Sequence, residues 1–135
     1  MHVIKYEYVP HGDHRGQLVA LEEFKDIPFD IKRVYYMYDT VPGVARGFHA
    51  HRNLEQILSC VHGSCKILLD DGTEKAVVPL DKPNEGLYIA NNMWREMFDF
   101  SPDAVLMVLA SQLYDESDYI RNYDDFLAFV KGEEE

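Results

Sequence analysis

Short runs of strand-forming residues, each ended by turn residues, most constrain how this chain can fold. A tight turn is predicted at Asp70, Asp71 and Gly72. A hairpin is predicted at His62 and Gly63, where it would join residues 56–61 to 64–69. Strands repeated every 8–12 residues or so are typical of an antiparallel sandwich or barrel. The predicted strands are residues 3–8, 16–21, 31–38, 56–61, 64–69, 75–80, 86–90, 95–100 and 104–110.

Only the C-terminal part of the chain has helical spacing. In residues 118–130, Tyr119, Tyr123, Phe126 and Val130 fall along one side of a helix, and Ser117 is the expected N-terminal cap. A length of 135 residues suits one compact domain, and the sequence contains no linker or repeat. We therefore predict a single all-β domain over residues 1–135 that ends in a short helix.

Charge and composition exclude several classes of protein. A formal net charge of −11 argues against nucleic-acid binding, which requires a basic surface. No apolar run approaches the roughly 20 residues of a membrane span, and the N-terminus is too polar for a signal peptide, so we expect a cytoplasmic protein. Cys60 and Cys65 are expected to be buried free thiols, because two cysteines alone make neither a disulfide framework nor a zinc site.

The most informative stretch is residues 43–56, GVARGFHAHRNLEQ. Alternate residues of a strand share a face, so His49 and His51 are expected to point the same way, with Arg46 just upstream. Two imidazoles turned into a barrel make either a metal site or a proton-transfer site. If they face outward, they are ordinary surface histidines.

The spacing of this stretch resembles the first motif of the cupins, which implies a small jelly-roll antiparallel barrel. Metal-binding cupins complete their ligand set with a glutamate and a further histidine in a second motif. Residues 86–96 resemble that second motif, but Trp94 or Arg95 stands where the histidine belongs. A guanidinium opposes cation binding, so the comparison favours a metal-free site for an anionic sugar, with a metal-dependent cupin oxygenase as an alternative.

Four segments resemble the nucleotide-sugar 3,4-ketoisomerases: FDIKRVYYMYD (29–39), RGFHAH (46–51), WREMFDF (94–100) and ASQLYDESDYIRNYDDF (110–126). These enzymes convert dTDP-4-keto-6-deoxyglucose to the 3-keto sugar on the way to 3-amino-3,6-dideoxy sugars. The resemblance implies a dTDP-linked substrate, no cofactor, and a homodimer in which N-terminal strands can be exchanged.

The reaction is a tautomerisation that needs a base, a second proton carrier and positive charge near an oxyanion. By resemblance, His49 is the base that removes the carbon 3 proton, and His51 carries protons between the oxygens or to carbon 4. Imidazole suits both roles because it titrates near neutral pH.

Substrate contacts are expected from arginines and from polar residues of the barrel wall. Arg33 and Tyr35 alternate on one strand and therefore share a face, whereas Gln56 faces inward only if a bulge resets the register. Glu55 is either a surface acid or a partner that orients an imidazole, and residues 114–126 are given no catalytic role. The predicted substrate-binding residues are Arg15, Arg33, Tyr35, Arg46, Gln56 and Arg95.

Two further readings and one question stay open. The alternatives are a 3,5-epimerase, which uses the same enolisation at carbons 3 and 5, and a non-catalytic sugar sensor. An arginine at position 15 resembles the pattern of the family branch that forms galacto products. An arginine at position 95 resembles the pattern of the branch that forms gluco products. The resemblance therefore leans only slightly to the galacto configuration at carbon 4.

Overall fold

The computed structural model describes residues 1–132, which form two five-stranded antiparallel sheets packed face to face. The predicted all-β antiparallel fold with a short C-terminal helix is confirmed. The strands are β1 (Ile4–Glu7), β2 (His11–Asp13), β3 (Gly16–Leu18), β4 (Arg33–Met37), β5 (Arg46–His51), β6 (Gln56–His62), β7 (Cys65–Asp70), β8 (Lys75–Leu80), β9 (Glu85–Ile89), β10 (Trp94–Phe98), β11 (Val105–Ala110) and β12 (Tyr119–Ile120). A 3₁₀ turn (Glu116–Asp118) precedes β12, and helix α1 (Tyr123–Val130) follows it.

The strand order is β1-β9-β6-β11-β4 in the first sheet and β12-β5-β10-β7-β8 in the second. Alternate residues of the strands point between the sheets and form the main core, which contains Leu58, Ile67, Leu87, Met97 and Leu106. The residues between them face the other way. On the first sheet these outer residues are covered by an apolar segment from the N-terminal part of the chain: Val19, Leu21, Ile27, Phe29 and Ile31.

The predicted hairpin around Gly63 is wrong. Strands β6 and β7 lie in different sheets, and the turn at Gly63 (φ +70°) carries the chain from one sheet to the other. Leu58 of β6 and Ile67 of β7 both lie in the core between the sheets, so the two strands face each other across that core. The turn after Asp70 does make a hairpin, in which β7 pairs with β8.

The predicted helix start at residue 118 is also wrong. Tyr119 and Ile120 are extended and pair with His51 and Ala50 of β5. Helix α1 begins only after Asn122, whose side chain accepts a hydrogen bond from the backbone of Asp125. The apolar side of this helix, with Phe126 fully buried, packs on the outer face of the second sheet against Ala50 and Trp94.

Strands β2 and β3 form a separate two-stranded ribbon that pairs with neither large sheet in the described chain. The sequence predicted no strand at His11–Asp13. Arg15 lies in the turn of this ribbon, where it is 80% exposed and bound to Asp13. None of the helices within residues 1–132 is long and apolar enough to cross a membrane.

Candidate active site

Two buried histidines of β5 form the centre of the site. His49 and His51 point to the same side of the strand, as the alternation predicted, and their ring centroids are 4.9 Å apart at an interplanar angle of 85°. The phenol ring of Tyr119 packs against both imidazoles, with centroids 5.1 Å from His49 and 4.4 Å from His51. The three rings form one wall of the barrel interior.

A bulge in β5 shapes the entrance to this wall. Gly47 (φ +90°) and Phe48 (φ +59°) have left-handed backbone conformations, and the pairing with β10 shifts register between Arg95 and Glu96. A Cβ atom on Gly47 would lie 3.0 Å from the carbonyl oxygen of Arg95, so the close approach of the two backbones requires glycine. The bulge brings Arg46 into the same cleft as His49.

Arg95 supplies a buried positive charge. Its side chain is fully buried and donates hydrogen bonds to the carbonyl of Met93 (3.2 and 3.0 Å) and to the side-chain oxygen of Gln56. All these acceptors are neutral, and no carboxylate pairs with Arg95 within residues 1–132. Burial lowers the pKa of Arg95 to about 10, which leaves the guanidinium charged at neutral pH. A desolvated cation of this kind favours a nearby anion.

The amide of Gln56 also donates to the phenol oxygen of Tyr35 at 3.0 Å, so Gln56 links Arg95 to Tyr35. Gln56 is buried and faces inward, which the sequence allowed only with a change of register. The guanidinium of Arg33 lies 5.1 Å from the Tyr35 ring centroid, and its Nε has no hydrogen-bond partner in the described chain. Arg33 and Tyr35 therefore share the inner side of β4, as expected.

Residues 116–121, for which the sequence predicted no catalytic role, contribute to the site. Asp118 lies beside His51, with 2.9 Å between Oδ2 and the imidazole Nδ1. Arg121 covers the Tyr119 ring at 4.3 Å and is paired with Glu116. These residues reach the histidines because β12 pairs with β5. The helix predicted for residues 118–130 excluded that pairing. Glu55 is not the partner of either imidazole, since its side chain lies at Tyr88.

Both imidazoles are neutral in the folded protein at neutral pH. Burial, and then the charge of Arg95, lowers the pKa of His49 to about 4 and the pKa of His51 to about 2. Within residues 1–132, Nε2 of His51 has no hydrogen-bond partner, and neither ring nitrogen of His49 makes a hydrogen bond of normal geometry. The backbone carbonyl of Gly47 lies near His49 and partly offsets the lowering of its pKa. Buried ring nitrogens without partners are ready to exchange protons with a ligand.

His49 opens onto a cleft of about 340 Å³, within the size range of small-molecule sites, and His51 lies fully buried behind it. Its lining includes Tyr35, Arg46, His49, Met97, Tyr119 and Arg121. A larger cleft of about 540 Å³ lies on the other side of Asp118 and contains neither histidine. Of the predicted residues, Arg15 is the one that the structure leaves outside this cluster, in the exposed ribbon.

The donor set does not fit a metal ion. No group of three or more His, Cys, Asp or Glu side chains within residues 1–132 is arranged to hold one. Trp94 or Arg95, both buried, stands where the resemblance to metal-binding cupins expects a further histidine, and a buried guanidinium there opposes a bound cation.

Fold and site together define a small cupin-type barrel built for acid–base chemistry on an anionic ligand. Residues 1–131 match the family model described as "FdtA: WxcM-like, C-terminal". A curated relative from Aneurinibacillus thermoaerophilus, TDP-4-oxo-6-deoxy-α-D-glucose-3,4-oxoisomerase, is 57% identical over 118 residues, which are 87% of this chain and 85% of the relative. The chain belongs to the FdtA family, so the family membership predicted from the sequence is confirmed.

Solved structures agree with this placement. A 3,4-ketoisomerase from Helicobacter canadensis superposes with a TM-score of 0.94 at 51% identity, covering 97% of this chain and 98% of that one. A histidine-to-asparagine mutant of the 3,4-ketoisomerase QdtA from Thermoanaerobacterium thermosaccharolyticum, in complex with TDP-4-keto-6-deoxyglucose, gives 0.94 at 45% identity, covering 96% of this chain and 94% of that one.

Proposed function

We propose that this chain is a sugar 3,4-ketoisomerase that converts dTDP-4-keto-6-deoxyglucose to the 3-keto isomer without a cofactor. The observation that carries the proposal is the buried guanidinium of Arg95, which has no carboxylate partner in the described chain and lies beside two neutral imidazoles. Such a site stabilises an enediolate, since its negative charge develops where the positive charge is already placed. The named activities of the relatives support the same reaction.

The steps follow from the chemistry of the substrate. His49 removes the carbon 3 proton, and the electron pair moves to form the carbon 3–carbon 4 double bond, leaving an oxyanion on oxygen 4 near Arg95. His51 takes the proton of the carbon 3 hydroxyl and returns it to oxygen 4. The protonated His49 then donates to carbon 4, and a ketone remains at carbon 3. Each imidazole ends neutral, and the reaction needs no oxidant or reductant.

Binding of the diphosphate is assigned to the arginines at the cleft. Arg46 lies at its mouth without a recorded partner in residues 1–132, and Arg33 retains an unpaired buried Nε. Tyr35 is held by Gln56, which leaves its hydroxyl hydrogen for the sugar. Arg95 acts at the reacting carbons rather than at the phosphates because it is fully buried.

Arg15 binds substrate only if the β2–β3 ribbon reaches another subunit. Within residues 1–132 the ribbon pairs with neither large sheet; its Leu18 is 60% exposed, and Val9 just before it is 72% exposed. We therefore retain the predicted homodimer with exchanged N-terminal strands, in which Arg15 of one protomer enters the partner's site. A cytoplasmic location, where nucleotide-linked sugars are made, is proposed with it.

The test compares wild type with His49→Asn, using dTDP-4-keto-6-deoxyglucose and a 3-aminotransferase that traps the 3-keto product. We expect His49→Asn to lose activity by about a hundredfold or more while binding dTDP as tightly as wild type. His62→Asn, at an exposed histidine that binds the carbonyl of Asp103, is the matched control and should remain active. A folded His49→Asn protein with full activity would refute the role of His49.

A further inference from the structure

Within residues 1–132, the carboxylate of Asp118 is the hydrogen-bond partner of the His51 ring. Oδ2 lies 2.9 Å from Nδ1 of an imidazole that is fully buried. A carboxylate can only accept a hydrogen bond, so the ring nitrogen that faces it must carry the hydrogen. A neutral imidazole has one N–H, and its other nitrogen, Nε2, is therefore a bare acceptor.

Asp118 is itself held in place by the backbone. Its Oδ1 accepts from the backbone N–H of Asn53 at 2.6 Å, and its backbone carbonyl accepts from the N–H of Arg52 at 3.0 Å. Its own backbone N–H donates to Asp115 at 3.1 Å. The side chain cannot turn away from His51 without breaking the bond to Asn53, so the geometry of the pair is preorganised.

We propose that Asp118 is a positioning residue that holds His51 as the Nδ1–H tautomer, with the Nε2 lone pair directed to the sugar oxygens. The proposal rests on the proposed isomerase function and deepens it, because it states why His51 rather than His49 carries the hydroxyl proton. His49 has no carboxylate partner among residues 1–132, so its tautomer is free to follow its proton transfers with carbon.

The same contact stabilises the transient charge on His51. When Nε2 takes the proton of the carbon 3 hydroxyl, the ring becomes an imidazolium whose Nδ1–H already points at a carboxylate. Without Asp118 this cation would form in a buried site that contains Arg95, and like charges there oppose it. When His51 returns the proton to oxygen 4, the ring is again the Nδ1–H tautomer.

The first test needs no variant. Nitrogen-15 NMR of histidine-labelled, full-length protein without ligand distinguishes the two tautomers, and loss of the signal in His51→Asn assigns it. We expect a pyrrole-type Nδ1 and a pyridine-type Nε2 for His51 at neutral pH. An Nε2–H tautomer in the wild-type protein overturns the proposal, whether or not the isomerase activity is found.

The second test uses Asp118→Asn. Asp118 presents a different oxygen to His51 and to Asn53, and an asparagine in the same position has an oxygen on one side only. If that oxygen stays on Asn53, the amide hydrogens face Nδ1 and favour the wrong tautomer. We expect kcat to fall by about a hundredfold or more, with little change in KM or in dTDP binding, and the NMR signal of His51 to change tautomer. Full kcat in Asp118→Asn overturns the proposal.

Two controls separate positioning from folding. Asp115→Asn removes a carboxylate charge from the same segment, keeps an oxygen that can accept from the Ser117 backbone, and touches neither histidine, so it should keep wild-type kcat. Asp118→Glu keeps an acceptor and should recover part of the activity together with the Nδ1–H tautomer. If Asp118→Asn unfolds, the wild-type NMR spectrum and the activity of Asp118→Glu still test the role of Asp118. An Nε2–H tautomer of His51 in the wild-type protein contradicts that role.

Discussion

Acidification should destabilise the fold through its two buried histidines. The pKa of His49 is lowered from 6.5 to about 4 and that of His51 from 6.5 to about 2, because burial and the nearby Arg95 disfavour the imidazolium. Between these values and 6.5 the unfolded chain binds more protons than the folded chain. The stabilisation is therefore complete above pH 6.5 and is lost as the pH falls towards the folded-state pKa values.

The magnitude follows from the size of these shifts. For His51 the loss is the smaller one, because its imidazolium would pair with the carboxylate of Asp118, 2.9 Å from Nδ1. For His49, one pKa unit corresponds to about 1.4 kcal/mol, so lowering the pH from 7 to 5 should cost about 2 kcal/mol. That is a large share of the roughly 5–15 kcal/mol by which a typical domain is stable.

Urea unfolding at pH 7 and pH 5 measures this loss. The double variant His49→Asn/His51→Asn should lose about 2–4 kcal/mol less than wild type over the same interval, whatever its stability at pH 7. His14→Asn, at an exposed histidine in the turn of the β2–β3 ribbon, should show the wild-type dependence. If the double variant and wild type lose equal stability between the two pH values, the reasoning about buried neutral imidazoles is wrong.

Two further predictions concern the residues that surround the histidines. Arg95→Gln should reduce kcat and move the acidic limb of kcat/KM to higher pH, because the guanidinium contributes to the lowered pKa of His49; an unmoved limb would contradict this. Gly47→Ala should cost about 1–3 kcal/mol in urea unfolding through its positive φ and its contact with the backbone of β10. Gly43→Ala, which has a positive φ but open space around it, should cost less, and equal costs would argue against the close approach.

The residues that local periodicity places correctly are those inside single strands. Alternation along β5 put His49 and His51 on one face, and alternation along β4 did the same for Arg33 and Tyr35. Both inferences need only the two-residue repeat of a strand, which no tertiary contact changes. The bulge at Gly47 left the histidines aligned and changed the placement of Arg46.

The predictions that are wrong all concern which strands pair with each other. The turn at Gly63 has the local signature of a hairpin, yet the shared core separates β6 and β7 into different sheets. Residues 118–122 carry a helical pattern, but pairing with β5 keeps Tyr119 extended and so brings Asp118 to His51. Such contacts join residues 67 positions apart, and no local pattern predicts them.

The central claim is that this site moves a carbonyl from carbon 4 to carbon 3, and NMR of the reaction in deuterium oxide tests it directly. We predict a new 3-ketone, with deuterium on carbon 4 in those molecules where the proton held by His49 exchanges with solvent before it is transferred. The same reaction in ordinary water keeps a proton on carbon 4, and its coupling to the carbon 5 proton gives the configuration there. Deuterium on carbons 3 and 5 with the 4-ketone intact would instead identify a 3,5-epimerase. A bound but unchanged sugar would identify a protein that only recognises it.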